Sequence, residues 1–153
     1  MSTKQLIKYQ CQDKANLAAS QLASLPQVRS SWLRTTRRAL GMSGAQLARR
    51  LGVTRSQVSK VENAESSGSV NLKTLQLMAE AMGCKFVYAI VPNSDIDSLL
   101  DEQARKKAKQ NVDYVNQQML LEGQGLTAEA LEREVERVSK ELLANPPKDF
   151  WDN

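Results

Sequence analysis

The 153-residue chain contains no histidine. That absence removes Ser-His-Asp triads, Cys-His dyads and the commonest zinc ligand together. Only two cysteines are present, Cys11 and Cys84, and they match neither a disulfide framework nor a CxxC pair. They are read as reduced thiols in a cytoplasmic protein, and Met-Ser-Thr-Lys-Gln at the start lacks the apolar core of a signal peptide. Long hydrophobic runs are missing too. The longest apolar stretch, Phe86 to Val91, falls far short of a membrane span, so no membrane partner is expected. There is no glycine-rich phosphate loop, and no paired carboxylates stand out from solvated helix faces. An enzymatic role therefore has little to rest on, and no metal or cofactor is expected.

What the chain does have is a dense set of local signals between residues 43 and 62. Ser43 and Thr54 are eleven residues apart, and each opens a capping box, Ser43 with Gln46 and Thr54 with Gln57. Met42 with Leu47, and Val53 with Val58, have the spacing of hydrophobic staples. Gly52 lies between the two helix starts, where a sharp turn needs positive φ. Ala48 is small where two helices would cross. Leu47, Leu51, Val53, Val58 and Val61 fall where the unit would face its own core. So many agreeing signals describe a helix-turn-helix. The competing description is a generic helical hairpin in an all-α core.

Charge separates the two descriptions. Residues 29–60 carry eight cations, Arg29, Arg34, Arg37, Arg38, Arg49, Arg50, Arg55 and Lys60, and no Asp or Glu. After residue 92 the balance reverses to eight Lys/Arg against thirteen Asp/Glu. The net charge of +4 thus averages a basic region and an acidic one. A basic face attracts phosphate by releasing counterions. Its coincidence with the helix-turn-helix favours double-stranded DNA as the partner.

Four regions follow from the pattern. Residues 1–26 form a polar, weakly helical arm ended by Pro26. Residues 27–92 form the helix-turn-helix domain. Its first helix is expected over 27–40, with Val28, Trp32, Leu33 and Leu40 inward. A Ser/Gly-rich loop is expected over Asn63 to Ser69. A helix capped by Asn71 and ended by Gly83 comes next. Cys84 to Val91 is rich in β-branched and aromatic residues and reads as one strand, stopped by Pro92. A lone strand cannot satisfy its own backbone, so pairing of Phe86, Val87, Tyr88, Ala89 and Ile90 with a twofold copy would build a homodimer. An irregular packed segment is the alternative. A dimer also suits an operator with two half-sites. Residues 93–145 form a helical region with one helix from Ser94 to about Gly123 and another capped by Thr127. Residues 146–153 are a tail that Phe150 and Trp151 would anchor.

Arg34 to Pro92 resembles the lambda-repressor-like, or XRE-type, DNA-binding domain, in the branch with a trailing dimerisation strand seen in antitoxins. A wider pattern, Trp32-Leu-Arg-Thr-Thr-Arg-Arg-Ala-Leu-Gly-Met42, Phe86-Val-Tyr-Ala-Ile-Val-Pro92 and Met119-Leu-Leu-Glu122, resembles the mobile mystery protein A family, regulators encoded beside a Fic-domain partner. The resemblance implies a mainly α fold: a lambda-repressor-like helix-turn-helix domain with a single dimerisation β-strand and C-terminal helices. It implies a recognition helix from Thr54 to Asn63. Arg55, Ser56, Ser59 and Lys60 would read base edges, Arg55 by two parallel bonds to one guanine. Arg37, Arg38, Thr54 and Gln57 would contact phosphate, although Gln57 is also committed to its capping box. Members of the family often carry glutamine where this chain has Gly44, so that phosphate contact is either absent or supplied by Arg37 and Arg38.

Gln118-Met-Leu-Leu-Glu-Gly123 resembles the inhibitory helix of antitoxins that silence Fic toxins. There a glutamate, here Glu122 followed by Gly123, occupies an arginine that would hold a nucleotide phosphate. Gln118 departs from that pattern, which has a hydroxyl residue in its place. The resulting expectation is an antitoxin that represses its own toxin–antitoxin operon, with its C-terminal helices on a Fic-type toxin. A stand-alone dimeric repressor and an adaptor without DNA binding are the alternatives.

Overall fold

A polar capping residue marks the start of every helix, and the fold follows these marks. The computed structural model describes residues 1–153. It contains seven helices: α1 (Thr3–Leu22), α2 (Trp32–Ala39), α3 (Gly44–Leu51), α4 (Arg55–Ser67), α5 (Leu72–Ala81), α6 (Ile96–Leu121) and α7 (Ala128–Ala144). Their N-caps are Ser2, Ser31, Ser43, Thr54, Asn71, Asp95 and Thr127. Each of these side chains accepts a hydrogen bond from the backbone N–H three residues on. One orphan donor per helix is thereby satisfied before any tertiary contact forms. No helix is long and apolar enough to cross a membrane.

The chain divides into two compact units. One is Ser24–Ala89. Its core joins Leu33 of α2, Leu47 and Ala48 of α3, Val58 of α4, and Met78 and Met82 at the end of α5. Leu47 and Val58 are almost wholly enclosed. The turn between α3 and α4 is made at Gly52, whose φ of 69° is one that side-chain-bearing residues rarely adopt. Its N–H and that of Val53 return to carbonyls of Arg49 and Ala48, closing the end of α3.

The other unit joins Met1–Ala23 to Ile90–Asn153. Here α6 and α7 form a hairpin around Ala108, Val112 and Val135, with Leu131, Val138 and Leu142 packed against them. Ala104 and Ala108 have no exposed surface. Small side chains there let the two backbones approach closely. Asn16 of α1 accepts from the Ile96 N–H at 2.9 Å, which adds a second cap to the start of α6. The terminal residues are anchored by Phe150, which is buried, and by Gln103, whose side chain donates to the Phe150 carbonyl at 2.6 Å. Lys107 donates to the carbonyls of Asp149 and Asp152.

Several expectations need correction. Residues 84–91 form no strand. Phe86, Val87, Tyr88, Ala89 and Ile90 lie in a segment without regular structure, and no backbone–backbone hydrogen bond involves residues 85–93. The physical reason is that a ladder needs a second strand, and the chain supplies none. The Phe86 and Tyr88 rings stack within this segment, with centroids 5.8 Å apart. The first helix of the domain starts at Trp32 rather than near residue 27, because Ser31 is extended and caps it. Leu33 faces the core, whereas Trp32 and Leu40 are exposed. The Ser/Gly-rich stretch after Asn63 is largely helical, since α4 continues to Ser67. Residues 3–22 form one continuous helix with no buried side chain, grouped with the C-terminal region. Asp95, not Ser94, caps α6.

Candidate nucleic-acid interface

The α4 helix presents two chemically distinct faces. Val58 and Glu62 are buried, and Val61 and Glu65 are partly buried. Arg55, Ser56, Ser59 and Lys60 are exposed on the remaining positions. The helical period of 3.6 residues produces this division directly. Thr54 opens the helix: its N–H donates to the Gln57 side-chain oxygen at 2.8 Å, and the Gln57 N–H donates to the Thr54 hydroxyl at 3.1 Å. The same box forms at Ser43 and Gln46, at 2.7 and 3.1 Å. Both helix starts expected from the sequence are therefore present with their full capping geometry.

The buried face holds something the sequence reading did not find. The Glu62 carboxylate receives the Arg34 Nε at 2.9 Å and the Arg37 Nε at 2.6 Å. Arg37 also donates through Nη2 to Glu62 at 3.2 Å and through Nη1 to the Met42 carbonyl at 2.9 Å. Arg34 reaches Asn63 through Nη2 at 3.0 Å. One turn on, the two oxygens of Glu65 accept from the Trp32 and Leu33 N–H groups at 2.9 and 3.1 Å. The last turns of α4 thus cap α2 from outside and place one carboxylate between its Arg34 and Arg37. Burial alone would push the Glu62 carboxyl up. The hydrogen bonds from Arg37 and Arg34, and their charges, reverse this and hold it below its ordinary range. The Arg37 guanidinium is correspondingly pushed up, first by its hydrogen bond to Glu62.

This network redistributes the expected roles. Arg37, expected on phosphate, is instead consumed in the core: its donors are directed at Glu62 and Met42, and its side chain is only 13% exposed. Arg34 is committed in the same way. Arg50 donates to the Ala81 carbonyl at 2.7 Å, tying α3 to the end of α5. Among the eight cations of 29–60, Arg29, Arg38, Arg49, Arg55 and Lys60 are exposed with neither an ion pair nor a side-chain hydrogen bond, whereas Arg50, also exposed, is held by its bond to Ala81. Thr54 and Gln57 are exposed, yet the Thr54 hydroxyl and the Gln57 carbonyl are occupied with each other. What Gln57 retains for an outside acceptor is its amide nitrogen. The sequence signal that would have located Glu62 and Glu65 is their spacing from Val58 and Val61 on one helix face. It was hidden by reading the helix as ending at Asn63.

At the end of α6, Glu122 is the C-cap and is exposed. It makes no ion pair. Gln118 lies one turn earlier and is also exposed. Gly123 follows at φ 74°, the conformation that ends the helix. Leu120 and Leu121 beside it are exposed apolar side chains.

Residues 33–88 match the helix-turn-helix family model HTH_3. That span runs from α2 to Tyr88 and contains both capping boxes, the Gly52 turn and the Glu62 network. These residues form an XRE-like helix-turn-helix domain of the DNA-binding type. No curated protein and no solved structure matches the chain.

Proposed function

We propose that the protein is a sequence-specific DNA-binding transcriptional regulator that acts as a homodimer on an operator with two half-sites. The observation that carries this reading is the outer face of α4. Arg55, Ser56, Ser59 and Lys60 stand exposed near the start of α4, while Glu62 turns inward to the Arg34 and Arg37 guanidinium groups and Glu65 to the Trp32 and Leu33 N–H groups, so neither carboxylate pairs with the outer cations. The cations left over attract phosphate, and Arg55 suits two parallel bonds to guanine. Homodimerisation is supported by residues 86–91, which carry unpaired backbone groups and exposed Val87, Tyr88 and Ile90. A second copy of that segment would supply the missing ladder. Function is by binding, without chemistry.

The finer reading is an antitoxin that represses its own operon. Its C-terminal region would hold a Fic-type toxin, with Glu122 directed at an arginine of that partner. The exposed, unpaired Glu122 between Gln118 and Gly123 supports it. Two measurements test the proposal. Titration of duplex DNA from the upstream promoter should give base-specific binding that weakens steeply with salt. Binding that is insensitive to sequence and salt would refute the regulator. Co-expression with the adjacent gene product, with wild-type protein or Glu122→Gly, should show protection by the first alone. Equal protection would remove Glu122 from the mechanism.

A further inference from the structure

Helix α1 has one face sheltered and one in water. Its partly buried residues, Gln12, Ala15, Asn16, Ala18, Ala19 and Leu22, all lie in its second half, and every residue of 3–11 is exposed. Tertiary packing is what normally stabilises so short a helical stretch, and the chain supplies none there. The face opposite the sheltered one carries Thr3, Leu6, Gln10, Asp13, Leu17 and Ser20, all exposed, with Leu6 at 50% and Leu17 at 59%. They follow one another at alternating steps of three and four residues, the period of a seam between paired helices. Their order reads alike from either end: hydroxyl, leucine, polar, polar, leucine, hydroxyl.

We infer that this stripe is a self-association surface, on which α1 of a second copy lies antiparallel across a twofold axis. The inference rests on the homodimer reading above but uses no residue of 86–91. A twofold contact joins one patch to itself, so the patch must be its own complement. The palindrome meets that condition, and a foreign helix would not require it. Antiparallel pairing sets Leu6 against Leu17, Gln10 against Asp13 and Thr3 against Ser20, each twice. The Gln10 amide can donate to the Asp13 carboxylate, a charge-assisted bond. A parallel pair in register would instead place Asp13 on Asp13. Lys14 and Ile7 border the stripe on one edge, and antiparallel pairing brings the lysine beside the isoleucine, so no two lysines are opposed. The central polar pair fixes the register, as polar residues in a helical seam do.

Cross-linking tests the partner and the register together. In full-length protein carrying Cys11→Ser and Cys84→Ser, Leu6→Cys and Leu17→Cys are placed in separate chains, mixed and mildly oxidised. The mixture should yield a disulfide-linked dimer. Either variant alone should not, because like positions would lie about 16 Å apart along the pair, beyond disulfide reach. Sedimentation supplies the second readout. Leu6→Glu and Leu17→Lys should each weaken self-association by about tenfold or more. The two changes in one chain should associate more tightly than either alone, since each Glu then faces a Lys, and this recovery also shows that the single variants did not fail by unfolding. A protein that sediments as a dimer but gives neither the mixed cross-link nor the recovery overturns the role of α1 and leaves the homodimer reading standing. A stripe that belongs to a foreign helix gives that same result. Cross-linking of either variant alone overturns the antiparallel register. A wild-type protein that stays monomeric overturns the homodimer reading and this inference with it.

Discussion

The two units handle charge in opposite ways. In Ser24–Ala89 a single carboxylate, Glu62, lies 3% exposed beneath two arginines, and each of its oxygens is hydrogen-bonded. In the unit of α1, α6 and α7 the pairs lie outside the core: Arg105–Glu132, Arg137 with Glu134 and Glu141, and Lys140–Glu136 are all more than a third exposed. Only Lys107, beside Asp149, is sheltered on one side. The apolar parts differ in the same sense. The first core interleaves large side chains from four helices, whereas the hairpin closes over Ala104, Ala108 and Val112. A short domain with few apolar residues to spare makes polar groups part of its interior. A long hairpin has enough interface to leave them in water.

The largest effect should come from breaking the buried carboxylate. Glu62→Ala leaves Arg34 and Arg37 facing each other without a counter-charge, at a cost of about 3–5 kcal/mol. The chain has two tryptophans, Trp32 in one unit and Trp151 in the other. Denaturation followed by fluorescence in single-tryptophan variants assigns the loss to a unit. Only the Trp32 signal should move to lower denaturant. The pH dependence has a defined sign. The folded-state pKa of Glu62 is depressed, so its contribution is complete above the ordinary value of 4.5 and is lost as pH falls through the lower folded value. Acid should therefore unfold the Trp32 unit of the wild type progressively below that value, and the same limb should flatten in Glu62→Ala.

Next in size is the hairpin. Ala108→Leu forces a large side chain where no surface is exposed and should cost about 1–3 kcal/mol, read from the Trp151 signal. No loss would mean that α6 and α7 are looser than their buried alanines imply. A similar or smaller loss is expected at the turn into α4. Thr54→Ala removes the hydroxyl that accepts from the Gln57 N–H, while the backbone N–H of residue 54 can still donate to the Gln57 side chain, and should cost about 1 kcal/mol in the Trp32 unit. Its DNA affinity should fall with the order of that helix end, while Arg38→Ala should weaken all duplexes alike and reduce the salt slope.

Legibility followed the range of the interaction. The helix-turn-helix was readable because its determinants lie within four residues of one another: Ser43 with Gln46, Thr54 with Gln57, and a glycine at 52. Asn71 and Thr127 were found as caps for the same reason. Glu62 and Glu65 were not, because their partners, Arg34, Arg37 and the N–H groups of Trp32 and Leu33, are some thirty residues away in sequence. Asn16 capping α6 at Ile96 is a longer-range instance of the same kind. The role of Arg37 was misread for that reason: a cation in a basic run gives no sign of being neutralised from another helix. Residues 86–90 show the converse. Their β-branched and aromatic composition is local and legible, but it expresses only a tendency to pair, and pairing requires a strand that the single chain does not contain.

The smallest effect is the sharpest test of the contrast between buried and exposed charge. Arg137 donates to Glu134 and Glu141 from the middle of α7, at i−3 and i+4. Drawn on paper it has as many carboxylate contacts as the arginines on Glu62. Its pKa is raised by those partners, most by the hydrogen bond to Glu134, and that of Glu134 is lowered in turn. Yet all three side chains are in solvent, so water can replace each bond as it breaks, and salt screens what remains. Holding a long arginine in one rotamer also carries an entropic cost that an alanine avoids, and alanine is the better helix former. Arg137→Ala should leave the Trp151 unfolding midpoint where it is, at low and at high salt. If instead it shifts the midpoint as far as Glu62→Ala shifts that of the other unit, burial would not be what separates the two units. The hairpin would then depend on its surface network as the helix-turn-helix depends on its buried one.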